Sequence, residues 1–376
     1  MQSNQAKNPV VRAIDLGSGY VKYTVGDAAG NVQAASFRSV VVPAGRKGTQ
    51  STIVDASGLT KRDSVFVESQ GNLYEVGPDA YLAQNGAQAG NALGDDYSSS
   101  LDYRLLMLGA LAYIAAQEQK IDGKVTIDAL VLALPVNTFT PERIAALKNG
   151  FLGDVFINDG LTVTVKDVFV KMQPQGAYVA VPSQECLAAV NEEFQRVYQE
   201  DAPDVTEDYL LDMAVLIVDP GTFTTDYILF SNGRPIENAS GALSSTGRHQ
   251  MLCRVRDHFA TIHGKPIGDG FLPRIDEAIM SKKKSIVLAQ KPTQLQTPEV
   301  RGIMKGVATQ AVSAILPALR GNEGGIGLVV VAGGHPELYV EALRERFDVP
   351  VVANPLGVFA VVSGLQVIGE AIVDAA

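Results

Sequence analysis

Short apolar runs and longer helix-like stretches take turns along the chain. Val10 to Val25 reads as strand, glycine turn, strand, and "NVQAASFRSVVV" (Asn31 to Val42) continues in strand style. "SVFVESQGNLYEVG" predicts a hairpin around Gly71-Asn72. Asp102 to Gln119 has helix composition, with Leu105, Leu108, Leu111 and Ala115 on one face. "IDALVLALPVNTF" is a continuous apolar run ending at Pro135, the pattern of a strand buried on both faces. A helix follows, with Thr140 as N-cap, Pro141 at the first helical position and Glu142 in the first turn.

A second half begins with "LTVTVKDVFVKMQPQGAYVAV", alternating strands and then a Pro-Gln-Gly-Ala bend. "SQECLAAVNEEFQRVYQE" predicts a helix, and "DMAVLIVDPGTFTTDYILF" a buried strand, a turn and a strand. "GRHQMLCRVRDHFATIHG" is helical, and Thr297 to Arg320 is a long amphipathic helix. "GLVVVAGGHPELYVEALRERF" predicts a strand, a double-glycine turn and a helix. "PVVANPLGVFAVVSGLQVIGEAIV" closes the chain with a loop and a helix. Strands alternating with helices place the fold in the α/β class. At 376 residues the chain is too long for one ordinary core, so two domains or two similar halves are expected. "PAGRKGTQSTIVDASG" and "GAQAGNALGDDYSSS" are polar or small-residue stretches and predict loops.

Composition narrows the function. The formal net charge is -10, which argues against broad, sequence-independent binding to nucleic-acid phosphates. The one dense basic stretch, "SKKKS" (Ser281–Ser285), reads as a solvated helix end or loop, with a local basic patch as the alternative. Cys186 and Cys253 are far apart and lack metal-ligand spacing, so neither a disulfide framework nor a zinc site is expected, and a reducing cytoplasm fits. The polar start "MQSNQAKNPV" has no signal-peptide core, and no apolar run is expected to approach the roughly 18 residues of a membrane span.

One internal similarity carries the chemistry. "IDLGSGYVKYTV" (Ile14 to Val25) aligns without a gap on "VDPGTFTTDYIL" (Val218 to Leu229). Asp15 matches Asp219, Gly17 matches Gly221, Ser18 matches Thr222, and Lys22 falls on Asp226. Each alone could be a hairpin with a polar tip. Together they suit a nucleotide triphosphate. Glycines let backbone N–H groups approach phosphate oxygens, hydroxyls add hydrogen bonds, and carboxylates hold a largely hydrated Mg²⁺. A third glycine turn, Gly333-Gly334, ends a buried strand before a helix, where backbone can lie flat against a base or ribose.

These motifs, in this order, resemble the superfamily of actin, sugar kinases and seventy-kilodalton heat-shock chaperones. "DLGSGYVK" looks like its first phosphate motif, "ALVLALPVNTF" with "MQPQGAYVA" like its first connecting region, and "VDPGTFTTD" like its second phosphate motif. "VVVAGGHPELY" looks like its adenosine motif, and "NPLGVFAVVSGLQVIG" like its second connecting helix. Length and the "LP" strand end are most similar to the ParM/StbA-type plasmid-segregation actins. The resemblance implies two similar actin-like (ribonuclease-H-like) α/β domains with a nucleotide cleft between them. The first would span 9–170 plus the C-terminal helix 355–376. The second would span 171–354, with a variable subdomain at about 248–297.

The resemblance also implies roles. Asp15 and Asp219 would hold Mg²⁺, through water. Gly17, Ser18, Gly19 and Lys22, with Gly221, Thr222 and Thr224, would bind phosphates, and Gly333 and Gly334 would line the nucleoside. Asp219 and Gln175 would be catalytic. A glutamine is no strong base but can orient the attacking water, although ParM-type relatives often carry Glu near this place.

The implied function is an ATPase that polymerises into filaments in the cytoplasm, for plasmid or DNA segregation, with itself and a DNA-binding adaptor as partners. No membrane and no general nucleic-acid binding are expected. The variable subdomain and the loop Pro43 to Gly58 would contribute filament contacts. A non-polymerising ATPase or a small-molecule kinase is the alternative, although no further acid stands out in the first half as the base a kinase needs. A peptide-binding chaperone would need a further domain after Ala376.

Overall fold

The computed structural model of the protein describes residues 9–27, 31–46, 62–83, 97–118 and 124–375. Residues 1–8 of the polar start, residues 47–58 of one expected loop and 86–96 of the other lie outside them. The chain forms two units. One runs to Val179 and resumes over Val361–Ala376; the other comprises Ala180–Ala360.

The first unit opens with β1 (Val11–Leu16) and β2 (Tyr20–Gly26), antiparallel to each other. The expected strand from Asn31 to Val42 is broken in two, β3 (Val32–Arg38) and β4 (Val41–Arg46). The break has a cause. Ser39 turns aside, its N–H donating to the Gly19 carbonyl at 3.0 Å and its hydroxyl to that of Gly17 at 2.6 Å. β4 then leaves the first sheet for a three-stranded one with β5 (Val65–Ser69) and β6 (Asn72–Val76), in the order β4-β6-β5. Their hairpin turns at Gln70-Gly71, both at positive φ (51° and 74°), one residue earlier than the pattern suggested.

Helix α1 (Leu101–Gln117) starts at the Ser100 hydroxyl, which accepts from the Tyr103 N–H. It is buried on nearly all sides rather than along one stripe, because it packs against β1 and β2 on the large sheet and β5 on the small one. β7 (Val125–Leu134) lies parallel to β1, and α2 (Pro141–Phe151) is capped by Thr140 as its sequence indicated. β8 (Gly153–Asn158) and β9 (Leu161–Met172) complete a six-stranded sheet, β3-β2-β1-β7-β9-β8. The seven-residue α3 (Gln173–Val179) follows. Gly176 meets the Val361 backbone so closely that a Cβ would lie 2.4 Å from its carbonyl oxygen. α3 lies in the first unit, which runs to Val179.

The second unit carries α4 (Gln184–Tyr198), the short α5 (Glu207–Asp212), β10 (Ala214–Pro220), β11 (Thr224–Ser231) and β12 (Arg234–Ser244). After these come α6 (Arg248–His263), α7 (Leu272–Met280), a hairpin of β13 (Ser285–Leu288) and β14 (Lys291–Gln294), and α8 (Pro298–Ile315). β15 (Ile326–Val331), α9 (Pro336–Arg344) and β16 (Val351–Ala353) finish a five-stranded sheet, β12-β11-β10-β15-β16. The closing helix α10 (Ala360–Asp374) returns to the first unit. There its Gln366 donates to the Val11 carbonyl and accepts from the Thr24 hydroxyl.

The two large sheets repeat one design. β1 sits between antiparallel β2 and parallel β7; β10 sits between antiparallel β11 and parallel β15. Each unit has its own apolar core. Against the expectation of no such run, two helical stretches, Pro298–Leu319 and Gly357–Asp374, are by length and composition apolar enough to cross a membrane. Both are elements of the fold: α8 packs against α6 and α9, and α10 against β1 and β7 through Gly369.

Candidate functional site: two matching strand turns

In the first unit the turn between β1 and β2 closes when the Gly17 N–H donates to the Tyr20 carbonyl at 3.0 Å. Asp15 and Lys22 are directly opposed in the strand register. Asp15 is 1% exposed, and a carboxylate that far from water needs partners for both oxygens. It has them. Oδ2 accepts from Lys22 Nζ at 2.8 Å, and Oδ1 accepts from the Gln173 side-chain amide at 2.8 Å. Ser18 and Gly19 form the bend itself, pinned from one side by Ser39.

The second unit repeats the turn at equivalent positions. The Gly221 N–H donates to the Thr224 carbonyl at 2.8 Å, and Asp219 and Asp226 are opposed across β10 and β11. Asp226 is buried and accepts from the Thr224 hydroxyl at 2.9 Å, so Thr224 is engaged within its own turn. The start of α6 braces this loop. The Arg248 N–H donates to the Gly221 carbonyl and the His249 N–H to that of Thr222, at 3.1 and 2.7 Å. These N–H groups have no partner within the helix, so the loop satisfies them. The fit needs a glycine at 247, since a Cβ there would lie 2.7 Å from both carbonyl oxygens. His249 stacks near Phe223, with ring centroids 4.7 Å apart, and burial lowers the pKa of its imidazole.

The Gly333-Gly334 turn lies on the same strand end. The Ala332 N–H donates to the Val218 carbonyl and the Gly334 N–H to that of Pro220. Gly333 has φ of 93°, and a Cβ there would come within 2.5 Å of Asp219 Oδ1 and 2.7 Å of the Pro220 carbonyl oxygen. The absence of a side chain at 333 is therefore demanded by Asp219 and the Pro220 carbonyl. Gly334 has ordinary room, 3.9 Å to Pro220.

Gln175, expected to be catalytic, and its neighbour Gln173 make different contacts. Gln175 Oε1 accepts from the Met172 N–H at 3.0 Å, the third helical residue reaching back to the N-cap position of α3. Gln173 is the one on Asp15. The capping role of Gln175 has a signal in the sequence. Pro174 favours the start of a helix, which makes Gln173 its first residue and Gln175 its third, the position for capping. Ser39 and Gly247, which hold the two loops, were also missed, because their partners are distant in sequence.

Hydrated Mg²⁺ suits the donors offered here: hard carboxylate and amide oxygens, with the ion keeping most of its water. Among the described residues no group of three or more His, Cys, Asp or Glu is placed to hold a metal directly.

A duplicated sheet with a duplicated Asp-Gly-hydroxyl turn defines an actin-like fold. Residues 13–176 match the family described as actin like proteins N terminal domain, and residues 217–345 match that described as archaeal actin homologue MreB-like, C-terminal. The two matches give the chain an actin-like N-terminal domain and a MreB-like C-terminal domain on an actin-like fold. Among solved structures it is similar to the actin-like protein Alp7A, with 17% identity, 97% of each chain covered and a TM-score of 0.68. It is similar to a 15-stranded ParM filament from Clostridium botulinum, with 15% identity, 97% of this chain and 99% of that one covered, and a TM-score of 0.68. It is also similar to an archaeal actin homologue in complex with ADP, with 17% identity, 96% and 99% covered, and a TM-score of 0.66. No curated protein matches in sequence.

Proposed function

We propose that this protein binds and hydrolyses ATP with Mg²⁺ and polymerises into filaments that segregate plasmid or other DNA through a DNA-binding adaptor. The observation that carries the reading is the buried Asp15, held by Lys22 on one oxygen and Gln173 on the other, beside a glycine turn that recurs at Asp219. The actin-like fold, an ADP complex of one similar structure and a filament of another support it.

Gly17, Ser18 and Gly19 present backbone and hydroxyl groups to phosphate oxygens, with Lys22 adding positive charge, and Gly221, Thr222 and Thr224 do the same from the second loop. Gly333 and Gly334 line the nucleoside. Asp15 and Asp219 would hold Mg²⁺, which when bound would neutralise charge on the phosphates. Gln173, in place of Gln175, orients the attacking water together with Asp219, and its amide is held in place by Asp15.

The test is sedimentation and light scattering with ATP·Mg²⁺ and with ADP, alongside phosphate release. Assembly above a critical concentration with ATP, and less with ADP, is expected. Turnover without assembly over a wide concentration range would leave a non-polymerising ATPase or kinase; no turnover and no binding would remove the nucleotide reading.

A further inference from the structure

Charge on the second unit is divided between two places. From Glu200 to Asp212 the chain carries six carboxylates and no basic residue. Asp204, Glu207, Asp208 and Asp212 are exposed, and among the described residues none forms an ion pair. Beside them Tyr209 and Leu211 of α5 are exposed apolar side chains. The second place is the β13–β14 hairpin with α7. Lys282, Lys284 and Arg274 are exposed there and equally without an ion-pair partner among the described residues, whereas Lys283 pairs with Glu277. A groove of about 510 Å³ runs between hairpin and helix; Arg274, Lys283, Ile286, Val287 and Pro292 line it, together with Glu277, whose carboxylate is paired with Lys283.

The topology puts these places at opposite ends of α8. The hairpin leads directly into its first turn at Pro298. Its last turn leads on to Ile326, which pairs with Ala214 just after α5. Eighteen helical residues separate the two, about 27 Å at 1.5 Å each. Two complementary, non-identical patches at opposite ends of one body give a head-to-tail contact that does not close on itself, the geometry of an open polymer.

We infer that the α7–β13–β14 groove of one copy receives α5 of a second copy, with Tyr209 and Leu211 against Ile286 and Val287 and the α5 carboxylates against Arg274, Lys282 and Lys284. This names the self-contact for the filament reading and rests on it. The chain carries both halves, and each lacks a charge partner within the described residues. Opposite charge across such a rim sets register and association rate, and salt screens it.

The experiment mixes ¹⁵N-labelled and unlabelled full-length protein with ATP·Mg²⁺, adds a zero-length carbodiimide cross-linker, and reads intermolecular peptides by mass spectrometry, with sedimentation in parallel. Links from Lys282 or Lys284 to Glu207, Asp208 or Asp212 of another copy are expected. The double variant Lys282→Glu with Lys284→Glu should raise the critical concentration about tenfold, as should Asp208→Lys with Asp212→Lys. Joining all four changes in one chain should restore assembly. Pelleting by wild type with intermolecular links only elsewhere overturns the contact and leaves the filament reading standing. The expected links without pelleting support the contact and overturn the filament. Neither links nor pelleting overturns both. Variants that all assemble like wild type, or a swapped chain that does not recover while it still folds by circular dichroism, also overturn the contact.

Discussion

Lys22 and Asp15 face each other across β1 and β2 and join through a 2.8 Å ion pair, with the carboxylate nearly sealed from water and the lysine one-fifth exposed. The lysine therefore belongs to the carboxylate before any phosphate arrives. Removing one member of a buried pair leaves the other uncompensated. Lys22→Ala should destabilise the protein by about 2 kcal/mol, less than a fully buried pair because Lys22 meets some solvent. Asp15→Asn with Lys22→Gln should be less destabilised than the sum of the single changes. Urea unfolding of the four proteins in a double-mutant cycle measures this.

Gln173 and Gln175 should separate cleanly. Gln173→Ala should lower ATP turnover about 10²-fold, the usual effect of losing one positioned polar group. Gln175→Ala should leave turnover near wild type and cost about 0.5–1 kcal/mol through its lost cap. Equal effects on phosphate release would undo the assignment of Gln173 as the water-positioning residue.

The paired glycines should differ as well. Gly333→Ala meets both a left-handed backbone and the Asp219 carboxylate, and should cost about 2–4 kcal/mol with a loss of nucleotide affinity. Gly334→Ala has ordinary contacts and should stay within about 1 kcal/mol of wild type. Thermal melts with and without nucleotide distinguish the two.

Glu193 gives a pH signature. Burial pushes its carboxyl up, but bonds from Arg196 and Arg344 outweigh that and hold it below the usual carboxylate range. A folded-state pKa below the unfolded one means that the stabilisation is complete above the unfolded value, near 4.5, and is lost as pH falls through the folded value. Glu193→Gln should be destabilised by about 1–2 kcal/mol at pH 7 and should flatten the acid limb of the stability curve. An acid limb unchanged in the variant would count against it.

The thiols should be slow to react. Burial pushes the Cys186 thiol up to about 12, with Glu185 adding to it, and burial also raises Cys253. At pH 8 a disulfide reagent should label Cys253 slowly and Cys186 only on unfolding. Rapid labelling of Cys186 in the native protein would contradict its burial.

The sequence by itself determined the α/β class, most elements, the capped start of α2 and the two matching Asp-Gly turns. These are legible because hydrophobic period, caps and glycine bends act over a few residues. Tertiary structure decided what depends on distant neighbours. α1 looked amphipathic but is enclosed by two sheets. The strand after Asn31 breaks because Ser39 serves the Gly17 turn. Gly247 is required by carbonyls twenty-odd residues earlier. That Gln173 bonds Asp15, 158 residues away, could be read only from the fold. A buried carboxylate selects its partners by proximity in the fold, and no local pattern records that choice.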